Sequence, residues 1–269
     1  MNLEQTVNEE MKRRRIEKTL ILPDIHAPYE DYRALNNIYK MMKKEKFEHV
    51  KILGDLVDFY QLSKFDKDPD RITGLQQEID VAQYHLDRLR KLHSGSITLY
   101  EGNHEYRLFK YLRNNPEMSS LRKVNNVPAI LDLDKYGVMY KRNELFHGVL
   151  LKHGNIVRKH GGYTAKGEFE NEGTSGVSGH THRMGSHFIT NRGGAHVWYE
   201  MGHLCDERAA EYMEGKKANW QKGFGVMHYD TVTKTWKIEQ IPIIKNSFMY
   251  NDNVYKWRNN EKVSGRDEL

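Results

Sequence analysis

The sequence contains very little cysteine or proline: its 269 residues include one cysteine, Cys205, and six prolines. A single cysteine cannot form an intramolecular disulfide, so a disulfide-stapled secreted scaffold is excluded. A zinc site built from several cysteines is excluded for the same reason, and any metal site must use nitrogen and oxygen ligands. The scarcity of cysteine favours a reducing compartment, and we expect the protein to be cytoplasmic.

Long hydrophobic runs are also missing. Apolar runs such as residues 19–23 and 148–151 are far shorter than the roughly 18 apolar residues that a membrane-spanning helix needs. The basic residues near the N-terminus precede one short apolar strand rather than a signal-peptide core, so we expect neither export nor a membrane partner. The C-terminal Arg-Asp-Glu-Leu resembles an endoplasmic-reticulum retrieval tag, and we interpret it as coincidental because the tag acts only inside that lumen.

Neither sign of charge dominates, because 42 Lys and Arg stand against 37 Asp and Glu, for a formal net charge of +5. This balance excludes a histone-like polycation. Residues 1–16 are charged and lack a period, which predicts a flexible basic arm; a nucleic-acid-binding arm is the alternative interpretation. We expect a single domain over residues 17–250, followed by a charged tail over residues 251–269.

Apolar strands alternate with helices along that domain. Leu75, Ile79, Ala82, Leu86 and Leu89 recur at helical spacing and predict one buried helix face. The alternation predicts an α/β fold with a parallel-rich sheet covered on both faces. We expect residues 114–143, which are rich in loops, to form a peripheral excursion. The predicted helices are 31–46 and 74–93, and the predicted strands are 19–23, 49–53, 96–100, 146–152, 176–178, 186–191, 195–199, 224–229 and 236–241.

Histidine is abundant, with 14 residues, and several of these follow predicted strands together with Asp and Asn. Loops at the carboxyl ends of strands in an open α/β sheet converge on one crevice, so residues distant in sequence can meet there. Oxygen and nitrogen ligands of this kind suit Mn, Fe or Zn better than a calcium cage. The five motifs are Asp24-Ile-His26, Gly54-Asp55-Leu-Val-Asp58, Gly102-Asn103-His104-Glu105, His153-Gly154 and Gly179-His180-Thr-His182.

The fourth motif has a competitor, because His160-Gly161 repeats the His-Gly dipeptide seven residues later. His153 directly follows an apolar run and therefore lies at a strand end. His160 lies in a basic, glycine-rich stretch that predicts a loop. We favour His153 as the ligand.

Taken in order, these motifs resemble the calcineurin-like metallophosphoesterase family, whose motifs run DxH, GDxxD, GNH(E/D), H and GHxH. The resemblance covers residues 18–183. It implies an α/β (α+β) fold in which two mixed β-sheets pack as a sandwich flanked by α-helices. It also implies two divalent metal ions as cofactors. Mn is favoured, with Fe, Zn, Ni and Mg as the other candidates.

The resemblance also implies a role for each site residue. The first metal would be held by Asp24, His26, Asp55 and His182, and the second by Asp55, Asn103, His153 and His180. Asp55 would bridge the two ions, which would hold a bridging hydroxide for attack on phosphorus. His104 would protonate the leaving oxygen and Asp58 would orient His104. Arg107 is a candidate phosphate contact, with a solvated helix face as the alternative.

Departures from named subfamilies narrow the substrate. Protein Ser/Thr phosphatases of this superfamily carry GDxVDRG and RGNHE, whereas this chain has Phe59 and Glu101 at the two arginine positions. The large capping domain of double-strand-break nucleases is also missing. The chain looks most like compact bacterial and phage-type phosphoesterases, which implies a phosphodiesterase or nuclease acting on nucleic acid or nucleotides. A nucleotide phosphomonoesterase and a non-catalytic, metal-stabilised binding protein of the same fold are the alternatives.

Overall fold

Thirteen strands and five α-helices form the part of the protein that the computed structural model describes, residues 15–64, 66–67, 73–121, 126–207 and 218–258. The helices are α1 (Tyr32–Lys44), α2 (Leu75–Leu92), α3 (Glu105–Asn114), α4 (Val127–Ile130) and α5 (Tyr163–Glu172). The strands are β1 (Ile16–Leu22), β2 (His49–Ile52), β3 (Ser96–Tyr100), β4 (Val138–Lys141), β5 (Asn143–Phe146), β6 (Val149–Lys152), β7 (Gly176–Ser178), β8 (Met184–Asn191), β9 (Gly194–Met201), β10 (Gly223–Asp230), β11 (Trp236–Pro242), β12 (Ser247–Tyr250) and β13 (Asn253–Lys256).

The strands form two large mixed sheets and one hairpin. The first sheet has the order β11-β10-β1-β2-β3-β4, with β1 to β4 parallel and β10 antiparallel to both of its neighbours. The second has the order β5-β6-β7-β9-β8, in which the central pairs are parallel and the outer pairs antiparallel. Strands β12 and β13 pair separately.

Apolar side chains fill three layers between these elements. On β1, Leu20 and Leu22 point to the helix-covered face of the first sheet, while Ile21 points to the second sheet. Ile21 packs there with Val149 and Val177, and this cluster is the interior of the sandwich. Both faces of the second half of β1 are therefore buried, as its continuous apolar run Leu20-Ile21-Leu22 requires.

The structure confirms the α/β fold of two mixed sheets packed as a sandwich with flanking helices. The predicted strands 96–100 and 176–178 have the bounds of β3 and β7, and the two predicted helices correspond to α1 and α2. The predicted hairpin near residues 186–199 is present as β8 and β9. Ile79, Ala82, Leu86 and Leu89 are buried, as the helical spacing predicts.

The structure differs from the expected boundaries at both ends of the domain. Strand β1 begins at Ile16, the last residue of the arm expected over residues 1–16. Residues 1–14 lie outside the described residues. Strand β13 lies in the expected charged tail, where Tyr255 is buried against the core. Tyr255 is the only buried residue of the four in β13, so the sequence shows little strand pattern there.

Three interior elements also differ from expectation. Strand β4 joins the first sheet beside β3, so the end of segment 114–143 belongs to the main sheet instead of a peripheral excursion. The single strand expected over residues 146–152 is the second half of a hairpin that turns at His147-Gly148. Helix α5 follows the basic loop at His160, and its interior Gly167 weakens the helical signal in the sequence.

No helix in the described segments has the length and apolar character needed to cross a membrane.

Candidate metal centre and active site

The five motifs lie together at one edge of the sandwich because each follows the carboxyl end of a strand. From the first sheet, Asp24 follows β1, Asp55 follows β2 and Asn103 follows β3. From the second, His153 follows β6 directly and His180 follows β7. Parallel strands end at the same edge, so the sequence order of the motifs becomes a spatial cluster.

Five of the predicted ligands have left-handed backbone conformations. Their φ angles are 44° for Asp24, 54° for His26, 48° for Asp55, 71° for His180 and 56° for His182. Each such angle disfavours a residue other than glycine by about 1–3 kcal/mol, and residues held this way cluster at functional sites. The surrounding fold therefore holds these side chains in positions that local preference alone would not select.

A first group of donors is formed by Asp24, His26 and His182, all buried. The Nε2 atoms of His26 and His182 lie 3.0 Å apart, and His182 Nε2 lies 3.4 Å from Asp24 Oδ1. One ligand atom from each of the three residues falls within 4.8 Å of the others. A carboxylate and two imidazoles at this spacing can share one divalent ion.

A second group is formed by Asp55, His153 and His180. His153 Nε2 lies 3.3 Å from Asp55 Oδ2 and 3.2 Å from His180 Nδ1. Asn103, at the exposed rim, brings its Oδ1 to 2.9 Å from the same His153 nitrogen. His153 Nδ1 lies 2.8 Å from the Leu53 carbonyl oxygen, a contact that orients the ring with Nε2 towards the cluster.

Asp55 lies between the two groups. Its Oδ2 is 3.3 Å from His153 Nε2 in the second group and 3.8 Å from His26 Nε2 in the first. Its other oxygen, Oδ1, accepts a hydrogen bond from the His104 backbone N–H at 2.9 Å. This placement suits a carboxylate that contacts two ions at once.

The two His-Gly dipeptides lie in different environments. His153 is buried beside Asp55, whereas His160 is exposed. The apolar run before His153 ends in a strand that points the imidazole into the cluster.

Asp58 and two histidines form a third group next to the ligands. Asp58 Oδ1 lies 2.8 Å from His104 Nδ1 and 3.0 Å from His26 Nδ1. The Asp58 carbonyl oxygen also lies 2.7 Å from His104 Nδ1. Because both Asp58 atoms are acceptors, His104 Nδ1 carries a proton and directs its Nε2 towards Asp55, at 3.7 Å from Oδ2.

Arg107 lies against this group on the first turn of α3. Its Nη1 donates to the Asp58 carbonyl oxygen at 2.8 Å, and its Nη2 lies 3.0 Å from His104 Nε2. A guanidinium can only donate, so His104 Nε2 accepts this hydrogen bond in the structure. Arg107 is largely buried at the site and does not form the solvated helix face that was the alternative.

Glu105 organises the loop after β2, a role that the sequence motif did not reveal. Its carboxylate accepts hydrogen bonds from the backbone N–H groups of Asp55, Leu56 and Gly102 at 2.8–2.9 Å. Gly102 must be glycine, because a Cβ there would lie 2.1 Å from Asp55 Oδ1. Backbone and side-chain contacts together hold the Asp55 carboxylate in place.

The pKa values reflect a dense arrangement of opposite charges. Burial raises the pKa of a carboxyl, but the imidazoles of His104 and His153 outweigh burial at Asp55 and hold its pKa well below its usual range. Burial lowers the pKa of an imidazole, yet the Asp55 carboxylate raises that of His153 to about 10. At His182 burial prevails and lowers the pKa to about 4.

The residues present fit a dinuclear metal site by the chemistry of their donors. Imidazole nitrogens of His26 and His182 face each other, and those of His153 and His180 do the same, although one proton at most can lie between each pair. Carboxylate and amide oxygens complete both groups. Buried imidazole and carboxylate ligand atoms that converge in this way are expected where divalent ions bind.

A further buried set adjoins the first group and was not predicted. The ring of His203 stacks on His182 with centroids 5.1 Å apart, and Trp220 meets His182 edge-on at 4.4 Å. His203 Nδ1 lies 3.1 Å from the Cys205 sulfur. Burial raises the pKa of the Cys205 thiol well above its usual value, which disfavours a role as a nucleophile. The sequence carries no spacing signal that would have joined these residues to the GHxH motif.

Comparison with known proteins gives a family match over most of the chain. The sequence profile of the calcineurin-like phosphoesterases matches residues 17–228. A protein named Gene 54 protein from Mycobacterium phage D29 is 28% identical over 253 residues, which cover 89% of this chain and 98% of the relative. The Gene 54 protein of Mycobacterium phage L5 is 26% identical over the same shares.

Solved structures with a similar arrangement are more distant. Vacuolar Protein Sorting 29 from Cryptosporidium parvum has 12% identity and a TM-score of 0.45, covering 89% of this chain and 94% of that one. The Pseudomonas putida nuclease MPE has 13% identity and a TM-score of 0.38, covering 88% and 86%.

Proposed function

Because the chain belongs to the calcineurin-like phosphoesterase family, we propose that it is a phosphohydrolase that uses two divalent metal ions, preferably Mn²⁺, to cleave a phosphodiester in nucleic acid or a nucleotide. The observation that carries the proposal is the position of His104. It lies at the two donor groups without belonging to either, and a protein that only bound metal would not need a proton donor there.

Each ion would be held by residues from both sheets. Asp24, His26 and His182 would hold the first ion, and Asn103, His153 and His180 the second; Asp55 lies close enough to both groups to bridge them. Two ions in these positions would polarise the phosphoryl oxygens and lower the pKa of a water nucleophile.

His104 and Arg107 would work together on the leaving group. His104 can give a proton from Nε2 only when that atom carries one, and in the structure the atom accepts a hydrogen bond from Arg107. An anionic phosphate would attract the guanidinium away from His104 and free Nε2 for protonation. Asp58 would stabilise the resulting imidazolium through Nδ1.

Charge at the rim supports a diester over a monoester. The two positions that hold arginine in protein phosphatases of this superfamily hold Phe59, which is buried, and Glu101, which pairs with Arg142. Neither supplies a cation to the phosphate. A diester carries one negative charge where a monoester carries up to two, so it needs fewer cationic contacts.

The phage relatives and the single, buried Cys205 support action inside a cell, in the cytoplasm. The partner would be the phosphoester substrate itself, a nucleic acid or a nucleotide.

The proposal is tested by incubating the Mn²⁺-loaded protein with bis(p-nitrophenyl) phosphate and, separately, with p-nitrophenyl phosphate. We expect both to be hydrolysed, the diester faster, and we expect the Asp55→Asn variant to lose both activities. A faster monoester reaction would indicate a phosphomonoesterase. Hydrolysis of neither substrate, with two metal ions bound per chain, would contradict the proposal and favour the non-catalytic binding protein.

A further inference from the structure

A second cluster of potential metal ligands lies at the opposite edge of the sandwich. Glu17 is near the start of β1, His49 starts β2, and His147 is in the turn between β5 and β6. From Glu17 to Asp24 the chain runs seven residues in largely extended conformation, so the cluster lies roughly 20 Å from the candidate active site. It is separate from every residue assigned above.

The three side chains converge at coordination distances. Glu17 Oε2 lies 3.4 Å from His147 Nε2 and 3.9 Å from His49 Nε2. One ligand atom from each residue lies within 4.8 Å of the other two. A tetrahedral zinc ion with bonds of about 2.0–2.1 Å places its ligand atoms about 3.3 Å apart. Small side-chain movements would therefore close the set around one ion.

Both imidazoles present a free nitrogen to the centre of the cluster. His49 Nδ1 forms a hydrogen bond with Ser96 Oγ at 2.7 Å, which orients the ring and directs Nε2 towards Glu17. His147 Nε2 is buried and forms no hydrogen bond with any residue that the structure describes. Burial lowers the pKa of both histidines, which favours the neutral form that binds metal.

The conformation of the turn adds an independent observation. The two-residue loop of the β5–β6 hairpin is His147-Gly148, with φ angles of 50° and 79°. Such loops prefer Asn or Asp followed by Gly, so histidine departs from the usual choice for the turn. The His147 ring also stacks on Tyr229, with centroids 3.7 Å apart and planes at 12°. The conformation of the turn alone therefore does not explain why position 147 is a histidine.

Nearby positive charge does not prevent a cation from binding. Lys51 is the nearest buried lysine, and its Nζ pairs with Glu144 at 2.7 Å. Lys234 lies beyond the Tyr229 ring, 5.9 Å from its centroid. The Glu17 carboxylate faces the cluster and supplies the negative charge that a divalent ion requires.

We propose that Glu17, His49 and His147 bind a divalent transition-metal ion of the zinc class, with water completing the coordination. Two imidazoles and one carboxylate are a common ligand set for such ions. The ion would tie β1 and β2 of the first sheet to the β5–β6 turn of the second, at the edge away from the candidate active site. This site is independent of phosphoester hydrolysis.

The test counts zinc ions bound per chain in the full-length protein by native mass spectrometry, with Zn²⁺ in molar excess. The variants are His147→Asn and Glu17→Gln, and the control is His160→Asn, which removes an exposed histidine outside both clusters. Asn is well tolerated at the left-handed position, and Gln keeps the shape of Glu, so the variants are expected to fold.

We expect the wild type and His160→Asn to bind one more zinc ion per chain than His147→Asn and Glu17→Gln. The zinc-dependent rise in Tm should also be smaller in these two variants. Equal zinc counts in the wild type and His147→Asn would overturn the proposal, and loss of an ion in His160→Asn would show non-specific binding. The count needs no enzymatic activity, so a failed hydrolysis assay would not affect it.

Discussion

At the scale of single residues, Asp58 links the candidate metal ligands to the proposed proton donor, His104. Its carboxylate contacts Nδ1 of both His26 and His104. Hydrogen bonds from these two rings hold the pKa of Asp58 below its usual range, although burial acts in the opposite direction. The GDxxD motif predicts the contact with His104. It does not predict the one with His26, because that contact depends on the left-handed backbone at position 26.

Glu78 gives a pH-dependent prediction at this scale. Its buried carboxyl accepts a hydrogen bond from the Tyr60 N–H at 3.0 Å, and burial together with the Asp58 charge raises its pKa to about 8. Between the ordinary pKa near 4.5 and about 8, the unfolded chain loses a proton that the folded chain keeps, so stability falls as pH rises. Glu78→Gln removes this titration.

We therefore expect the free energy of unfolding of Glu78→Gln, relative to wild type, to increase by at least about 1 kcal/mol between about pH 5 and about pH 8. Urea denaturation of the metal-free proteins measures it. Asp80→Asn, at a more exposed carboxyl on the same helix, is the control. A difference for Glu78→Gln that does not change with pH would contradict the raised pKa of Glu78.

At the scale of secondary-structure elements, the short strand β7 positions the GHxH loop and depends on a glycine. A Cβ at Gly176 would lie 2.3–2.6 Å from three atoms of the Trp198 ring. Trp198 is fully buried, and its Nε1 donates to Ser178 Oγ at 3.0 Å, so the ring cannot easily move. Strand β7 can therefore lie against β9 only without a side chain at this position.

Gly176→Ala should lower the free energy of unfolding by about 3 kcal/mol, the upper end of the range for overpacking a core. Urea denaturation compares it with Gly74→Ala, where a Cβ would meet nothing within 4 Å. The Gly74→Ala control changes only the N-cap of α2 and should lower the free energy of unfolding by less than about 1 kcal/mol. Equal decreases in the free energy of unfolding of the two variants would show that the Trp198 ring moves to accommodate the added methyl group.

How well an element could be predicted depended on how regular its sequence is. The strand before Gly102 and the stripe of α2 have clear periods, and the structure confirms both. Val138 is the only buried residue of β4, so the sequence of this strand shows little alternation of buried and exposed side chains. The hairpin at His147 was missed because histidine is rare in left-handed turns. Helix α5 was missed because Gly167 interrupts its helix-forming residues.

At the scale of the whole molecule, the candidate metal centre joins the two sheets. The sequence motifs predict which residues meet, because the ends of parallel strands converge. They do not predict how the sheets pack, since that depends on side chains such as Ile21 and Val177 that belong to no motif. The contact between Arg107 and His104 likewise follows from the position of α3 and has no sequence signature.

Mn²⁺ should therefore stabilise the entire sandwich. An ion that binds only the folded state at 100 times its Kd adds about 2.7 kcal/mol, which corresponds to a rise of several degrees in Tm. Calorimetric scans with Mn²⁺ and with chelator should show this shift in the wild type and in His147→Asn. Asp55→Asn should lose most of it. Identical Tm values for the wild type under both conditions would contradict a metal centre between the sheets.

The central claim is that His104 donates a proton to the leaving group without holding the metals. The most direct measurement is turnover of His104→Ala on a dinucleotide, whose alkoxide leaving group needs a proton, and on bis(p-nitrophenyl) phosphate, whose leaving group does not. We predict a loss of about 100-fold or more on the dinucleotide, a much smaller loss on the aryl diester, and unchanged metal content. Equal losses on both substrates, or loss of bound metal, would contradict the account.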